Sequence, residues 1–207
     1  MKLDFENHIR VEHGYFLFPL PDEKYKALPE VYDKTCAVIY MASKIVSEPD
    51  KHKVPCKPIV EAYIRAALSE LIALEEFILD EYHDIDQPLF KIYKTTDPIL
   101  HMIKLLRNYN IYVSSSMVSQ KSMRVRTLSE KIPEFDIEVA YISNLNFEAI
   151  RNLRSSKDYT DDQLRRMLDI FEEQQNVFGI STLLIKVALS YIGKFERYIK
   201  SIPENGL

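Results

Sequence analysis

Glycine is scarce in this chain, with only four among 207 residues. The G-x-G-x-x-G pattern of dinucleotide-binding folds and the G-x-x-x-x-G-K pattern of P-loop proteins are therefore both absent. Tryptophan does not occur, and the two cysteines, Cys36 and Cys56, are too few for a disulfide framework. We expect both thiols to be reduced and buried, because a free cysteine behaves as a small apolar side chain.

The chain also lacks an uninterrupted apolar run of the roughly 20 residues that a membrane span requires. Its opening residues are too charged for a signal peptide, so we expect a cytoplasmic protein that does not bind membranes. The net charge of −4 argues against a broad basic face for non-specific nucleic-acid binding. It leaves room for a local basic site.

Familiar catalytic and metal-binding motifs are missing as well. There is no G-x-S-x-G elbow and no H-E-x-x-H pair among the five histidines. An acidic cluster offers one Asp-x-x-His without a second copy, and we expect it to be a solvated helix end rather than a metal site. The cluster comprises Glu75, Glu76, Asp80, Glu81, His83, Asp84 and Asp86. We therefore predict neither a metal site nor a cofactor.

Apolar residues make up 46% of the chain, which is enough to fill a core, so we expect one domain over residues 1–207. They recur at three- and four-residue steps, which predicts amphipathic helices. The predicted helices span about residues 23–47, 58–83, 97–109, 160–178 and 181–201. We expect a mainly α bundle of about four to six helices.

Local signals mark several helix ends. Asp97 and Pro98 fit the N-cap and the first position of the third predicted helix. Thr160 with Gln163 three residues later forms a capping box at the start of the next one. Gly179 is the residue type favoured just beyond a helix end, so we predict a stop there and a separate final helix.

Between these helices the hydrophobic period shortens. Residues 111–118, 123–128 and 135–142 are rich in β-branched and aromatic side chains, and the later segments alternate apolar with polar residues. This pattern predicts a small antiparallel β insertion over about residues 111–142. Within it, Arg124 and Arg126 project from the same face of a strand.

Those two arginines, with Lys121, are candidate binding residues. Their face could contact a phosphate backbone while Tyr112 or Tyr141 stacks on a base. The same charges could equally lie on the solvated side of the sheet, which is the commoner arrangement for such residues.

The most informative block is Leu105-Leu106-Arg107-Asn108-Tyr109-Asn110-Ile111-Tyr112. An arginine near a helix end, with an aromatic ring one turn further on, can bind a phosphate or a carboxylate. The block can also be read as an ordinary helix end, with Arg107 favoured by the helix dipole and Asn110 as a cap. His101, one to two turns earlier, is a candidate acid or base.

This block resembles the signature of the HEPN superfamily, in which an arginine and an often polar residue precede a histidine. Arg107 and Asn108 match the first two positions, and Tyr112 stands where the histidine belongs. The resemblance covers about residues 23–112 and the last two helices. It implies an all-α bundle that faces its own copy across a dimer, and some members of that superfamily are ribonucleases.

The missing histidine changes the expected function. RNA cleavage without metal needs a base and an acid, and a tyrosine with a reference pKa of about 10 serves poorly near neutral pH. We therefore expect a non-catalytic member that binds RNA, a nucleotide or a protein, in a defence or toxin–antitoxin setting. Two alternatives stay open: a metal-independent endoribonuclease that uses Arg107 with Tyr112 or His101 assisting, or an unrelated helical interaction or structural protein.

Overall fold

Helices dominate the computed structural model, which describes residues 2–15, 17–45, 55–112, 117–125 and 133–201. The long helices are α1 (Pro29–Ser43), α2 (Cys56–Glu81), α4 (Pro98–Tyr112) and α6 (Asp161–Ile192). Short helices lie between and after them: α3 (Gln87–Phe90), α5 (Phe147–Arg151) and α7 (Glu196–Ile199). Strands β1 (Met117–Val125) and β2 (Phe135–Ser143) form an antiparallel pair. The expected mainly α fold with a small β insertion is confirmed.

The core lies where α1 and α4 pack against α2 and α6. Each helix contributes an apolar stripe at helical spacing, and burying a large apolar side chain contributes about 1.5–3 kcal/mol. The largest fully buried side chains include Ile64, Leu68, Leu71, Phe171, Tyr191 and Phe195.

Capping groups act at the positions that the sequence indicates. The backbone N–H of Ile99 donates to Asp97 Oδ1 at 2.8 Å, with Pro98 in the first turn of α4. Thr160 and Gln163 exchange both hydrogen bonds of the capping box at the start of α6. These bonds satisfy N–H groups that a helix start leaves without partners.

The predicted break at Gly179 is confirmed. The backbone is non-helical at Phe178 and Gly179, so α6 consists of two helical segments, one before and one after this kink. Gly179 adopts φ +85°, a conformation that residues with a Cβ rarely reach. The chain then resumes helical geometry in the second segment. Beyond Ile192 it continues through the 3-10 turn Gly193–Phe195 into α7.

The β insertion is also shorter than predicted. Residues 111 and 112 belong to α4, so the strand expected over 111–118 is wrong at its start, and residues 113–116 lie outside the described part of the chain. The helical ladder continues through this β-prone segment, because strand propensity is a weak local preference. One strand, β1, replaces the first two predicted strands. The third matches β2, with Met117 opposite Ser143 and Val125 opposite Phe135.

The hairpin is attached to α6 by one buried amide. The N–H of Ile142 donates to Gln175 Oε1 at 2.8 Å, and Gln175 Nε2 donates to the Ile142 carbonyl at 2.6 Å. Gln175 thereby occupies the outer edge of β2 as a neighbouring strand would.

The segment Asp161–Ile199 is long and apolar enough to cross a membrane by length and composition alone. More than half of its most apolar stretch is buried against the rest of the described chain, as is usual for the central helix of a core. The two thiols are free and half-buried, so the full burial expected for Cys36 and Cys56 is not reached.

Candidate functional site

A polar cleft of about 850 Å³ opens beside α4. It lies between that helix, the 3-10 turn Ile92–Lys94 and the segment 155–159. Helix α4 contributes His101, Lys104 and Leu105, which share one face because they are three and four residues apart. The other lining residues are Lys2, Tyr93, Lys94, Thr96, Ser155, Asp158 and Tyr159.

Tyr93 is the aromatic side chain in this cleft that solvent reaches most easily, with 41% of its surface exposed. Three ammonium groups surround its ring: the Nζ atoms of Lys91, Lys104 and Lys94 lie 5.1, 5.4 and 5.7 Å from the ring centroid. Each is within cation–π range of the ring. The arrangement offers a flat apolar surface next to several positive charges. We call it the Tyr93 cluster.

A buried carboxylate fixes the Tyr93 cluster. Glu75 is 1% exposed, and its Oε2 accepts a hydrogen bond from Lys104 Nζ at 2.7 Å. Its Oε1 accepts from the backbone N–H of Ile92 at 2.8 Å, at the start of the turn that carries Tyr93. One carboxylate therefore orients both a cation and the aromatic residue. The acidic run suggested a solvated helix end, but Glu75 is buried inside the fold, so that expectation is wrong for this residue.

His101 forms the back wall of the cleft and is fully buried. Its Nε2 lies 2.9 Å from the Thr95 carbonyl, and its Nδ1 lies 2.6 Å from the Tyr159 hydroxyl. A carbonyl only accepts, so Nε2 carries the proton and Nδ1 accepts from Tyr159. Burial lowers the pKa of His101 to about 4, and the imidazole is neutral near pH 7.

Arg107 reaches the cleft only through its neighbour. Its Nη1 donates to Asn108 Oδ1 at 3.2 Å, and Asn108 Nδ2 donates to Ser155 Oγ at 3.1 Å. Ser155 lines the cleft, and with Asn108, Leu153 and Arg154 it also lines an adjoining depression of about 450 Å³. Arg107 Nε is buried and has no hydrogen-bond partner among the described residues.

The remaining predicted binding residues lie elsewhere. On β1, Arg124 pairs with Asp136 across the hairpin at 3.2 Å, and Lys121 donates to the carbonyl of Asn176 on α6. Arg124 borders an apolar cleft of about 420 Å³ between the hairpin and the α6 kink, and that cleft shares no lining residue with the Tyr93 cleft. Arg126 and the side chain of Tyr112 lie outside the described part of the molecule.

Sequence reasoning missed the Tyr93 cluster, although a signal for it was present. Lys91-Ile92-Tyr93-Lys94 interleaves basic and apolar side chains, a pattern typical of surfaces that bind single-stranded nucleic acid. Lys104 joins the cluster only because α2 and α4 are neighbours, and that contact has no local signature.

No cluster of three or more His, Cys, Asp or Glu side chains that could hold a metal ion occurs within residues 2–15, 17–45, 55–112, 117–125 and 133–201. The side chains that line the cleft are mainly lysines, tyrosines and other hydrogen-bonding groups. These groups suit the binding of an anion that also has an aromatic or other flat surface.

Comparison of the chain with models of known protein families, with curated proteins and with solved structures finds no match in any of the three. The relation to HEPN proteins therefore stays a prediction. Function has to be argued from the site itself.

Proposed function

We propose that this chain is a non-catalytic, HEPN-like helical protein that binds RNA or a nucleotide at the Tyr93 cluster. The observation that carries the proposal is the exposed ring of Tyr93 with three lysine ammonium groups within 6 Å of its centroid. A nucleotide has the two complementary parts, a flat base and a negative phosphate.

Stacking and charge contribute separately to this binding. A base that stacks on an aromatic ring contributes about 1–3 kcal/mol, and it must be unpaired to do so. Lys94 is exposed, and Lys104 keeps two N–H donors beyond the one that Glu75 accepts. The cleft wall has three lysines, Lys2, Lys94 and Lys104, against one exposed carboxylate, Asp158. A local basic site of this kind is compatible with an acidic chain.

The state of His101 supports binding rather than cleavage. Its two ring nitrogens are both engaged by other protein groups, and its lowered pKa leaves it neutral near pH 7, without the second proton that a general acid would give. We therefore assign His101 a positioning role, in which it holds Tyr159 in the cleft wall and the Thr95 carbonyl behind it.

The wider setting of the proposal comes from the resemblance alone. It implies a homodimer in which two copies of Arg107 and Tyr112 face each other, a cytoplasmic location, and a role in defence or in a toxin–antitoxin pair. A protein partner is compatible with that setting.

The proposal is tested by fluorescence anisotropy with a labelled single-stranded RNA. Tyr93→Ala should weaken binding by about 5- to 150-fold, because it removes a stacking contact of about 1–3 kcal/mol. Tyr40→Ala is the matched control: Tyr40 is 56% exposed, and Lys44 Nζ lies 5.1 Å from its ring, but Tyr40 borders none of the polar depressions. Equal losses in the two variants, or no binding by the parent, would favour an unrelated interaction protein.

A metal-independent endoribonuclease centred on Arg107 is the second candidate, and the buried Nε without a described partner favours it. We expect neither the parent nor Arg107→Ala to cleave total RNA in a chelator. Cleavage by the parent and not by the variant would establish the enzyme and contradict the non-catalytic proposal.

A further inference from the structure

A second polar cleft, of about 580 Å³, adjoins the Tyr93 cleft. Lys94 and Thr96 line both, so the two share a wall of two residues. The second cleft lies between the segment 94–97 and the C-terminal end of α6 with the turn that follows. Its other lining residues are Ile9, Pro88, Leu89, Thr95, Asp97, Leu100, Ser190, Gly193, Lys194, Glu196 and Arg197.

The carboxylates of this second cleft are already engaged by the protein. Asp97 accepts backbone N–H groups from Ile9 and Ile99, each at 2.8 Å. Glu196 pairs with Lys24 at 3.4 Å and with Lys200 at 3.5 Å. Both carboxylates keep their charge, and Asp97 attracts Lys194, so the second cleft is lined by three cations against two carboxylates.

Those cations are Lys94, Lys194 and Arg197. Lys194 Nζ donates to the Leu89 carbonyl at 2.9 Å and lies 4.8 Å from the centroid of the Tyr191 ring. These two contacts hold the ammonium group at the cleft, and Arg197, which lines the same cleft, is exposed. A fixed cation next to an exposed arginine is suited to bind a phosphate.

The two clefts and the depression beside Asn108 are neighbours that share lining residues, and we call the three together the groove. Ser155 lines both the depression and the Tyr93 cleft, and Lys94 and Thr96 line both the Tyr93 cleft and the second cleft. Each of the three is lined by at least one positive side chain: Arg154, Lys104, Lys94, Lys194 and Arg197.

We propose that the ligand is a single nucleic-acid strand of several nucleotides that runs along this groove, with one base on Tyr93 and later phosphates at Lys194 and Arg197. This inference rests on the proposed function. It adds a second subsite, at Lys194 and Arg197, and it requires a ligand longer than a mononucleotide. A mononucleotide would fill one cleft and leave the cations of the other without a phosphate.

The test compares binding of a trinucleotide and a hexanucleotide by anisotropy over a range of salt concentrations. The parent should bind the hexanucleotide at least about tenfold more tightly, because each added phosphate contact releases counterions. In Arg197→Ala, the affinity for the hexanucleotide should exceed that for the trinucleotide by less than about threefold. The dependence of log affinity on log salt concentration should also be less steep by about 0.7, the value for one phosphate contact on a single strand. Arg65→Ala removes an exposed arginine of α2 that borders none of the three depressions, and it should keep the full gain.

If Arg197→Ala and Arg65→Ala showed the same gain in affinity from trinucleotide to hexanucleotide, the proposal of a strand that runs along the groove would be overturned. Competition by inorganic tripolyphosphate as strong as that by the hexanucleotide would also overturn it, because the groove would then bind a polyanion without using Tyr93. A DNA hexanucleotide that binds as the RNA does supports the path, since phosphates and bases are common to both. The proposed function fails separately, if the parent binds neither length or if Tyr93→Ala binds both as the parent does.

Discussion

His101 and Tyr159 form a buried pair whose chemistry follows from their surroundings. An imidazole beside a cleft is an obvious candidate acid or base, and the sequence alone supports that interpretation. In the structure, the Thr95 carbonyl and the Tyr159 hydroxyl occupy both ring nitrogens. Burial also raises the pKa of Tyr159, so neither group changes its charge near neutral pH. Nothing in the sequence around His101 signals either partner.

Acid should therefore weaken the fold through His101. Its pKa is about 4 when folded and about 6.5 when unfolded, so the unfolded chain binds the proton more readily. The contribution to stability is complete above pH 6.5 and is lost as the pH falls towards 4. The advantage of the parent over His101→Gln in free energy of unfolding should shrink by about 2–3 kcal/mol between pH 7 and about pH 4.5. Urea unfolding at each pH measures the free energies of both proteins. A difference between them that does not change with pH would contradict a lowered pKa of His101.

Helix ends illustrate which features of an element the sequence can predict. The Asp97 cap and the Thr160–Gln163 capping box involve residues at most three apart, so their signals are local and the structure has both. The break at Gly179 is local too. The structure has this break too, at the non-helical backbone of Phe178 and Gly179, whereas the hairpin that packs against α6 cannot be read from the sequence.

Gly179 should be intolerant of a side chain. An added Cβ would lie 3.0 Å from the Ala140 carbonyl oxygen and 3.1 Å from Val139 Cβ, at a φ of +85°. We expect Gly179→Ala to lower the free energy of unfolding by about 1–3 kcal/mol. Gly193→Ala is the control, since its Cβ would have no neighbour within 4 Å in a helical backbone, and it should be neutral or slightly stabilising. Thermal unfolding distinguishes them, and equal effects would contradict a strained kink.

At the scale of the whole molecule, the candidate site depends on contacts between distant segments. Glu75 is 17 residues from Ile92 and 29 from Lys104, yet it holds both. The sequence could therefore predict the helices that carry these residues but not the cluster that their packing creates. Conversely, the positive charges of Lys121 and Arg124 made them candidate binding residues in the sequence. The fold places them on the hairpin, which borders a different cleft.

The expected dimer is a prediction about the whole molecule. Sedimentation equilibrium should give a mass of about twice the 24.3 kDa of one chain. If the mass is that of a single chain at every concentration measured, two copies of Arg107 cannot face each other across a dimer. The HEPN resemblance would then lose that expected feature. That result would leave binding at the Tyr93 cluster unaffected, because every residue of that cluster comes from one chain.

Photochemical crosslinking tests the central claim most directly. A single-stranded RNA that contains 4-thiouridine is irradiated with the protein, and the modified peptide is identified by mass spectrometry. The account predicts a crosslink in the segment that contains Tyr93, reduced in Tyr93→Ala and retained in Tyr40→Ala. A crosslink confined to the β1–β2 hairpin, or the same yield in both variants, would contradict it.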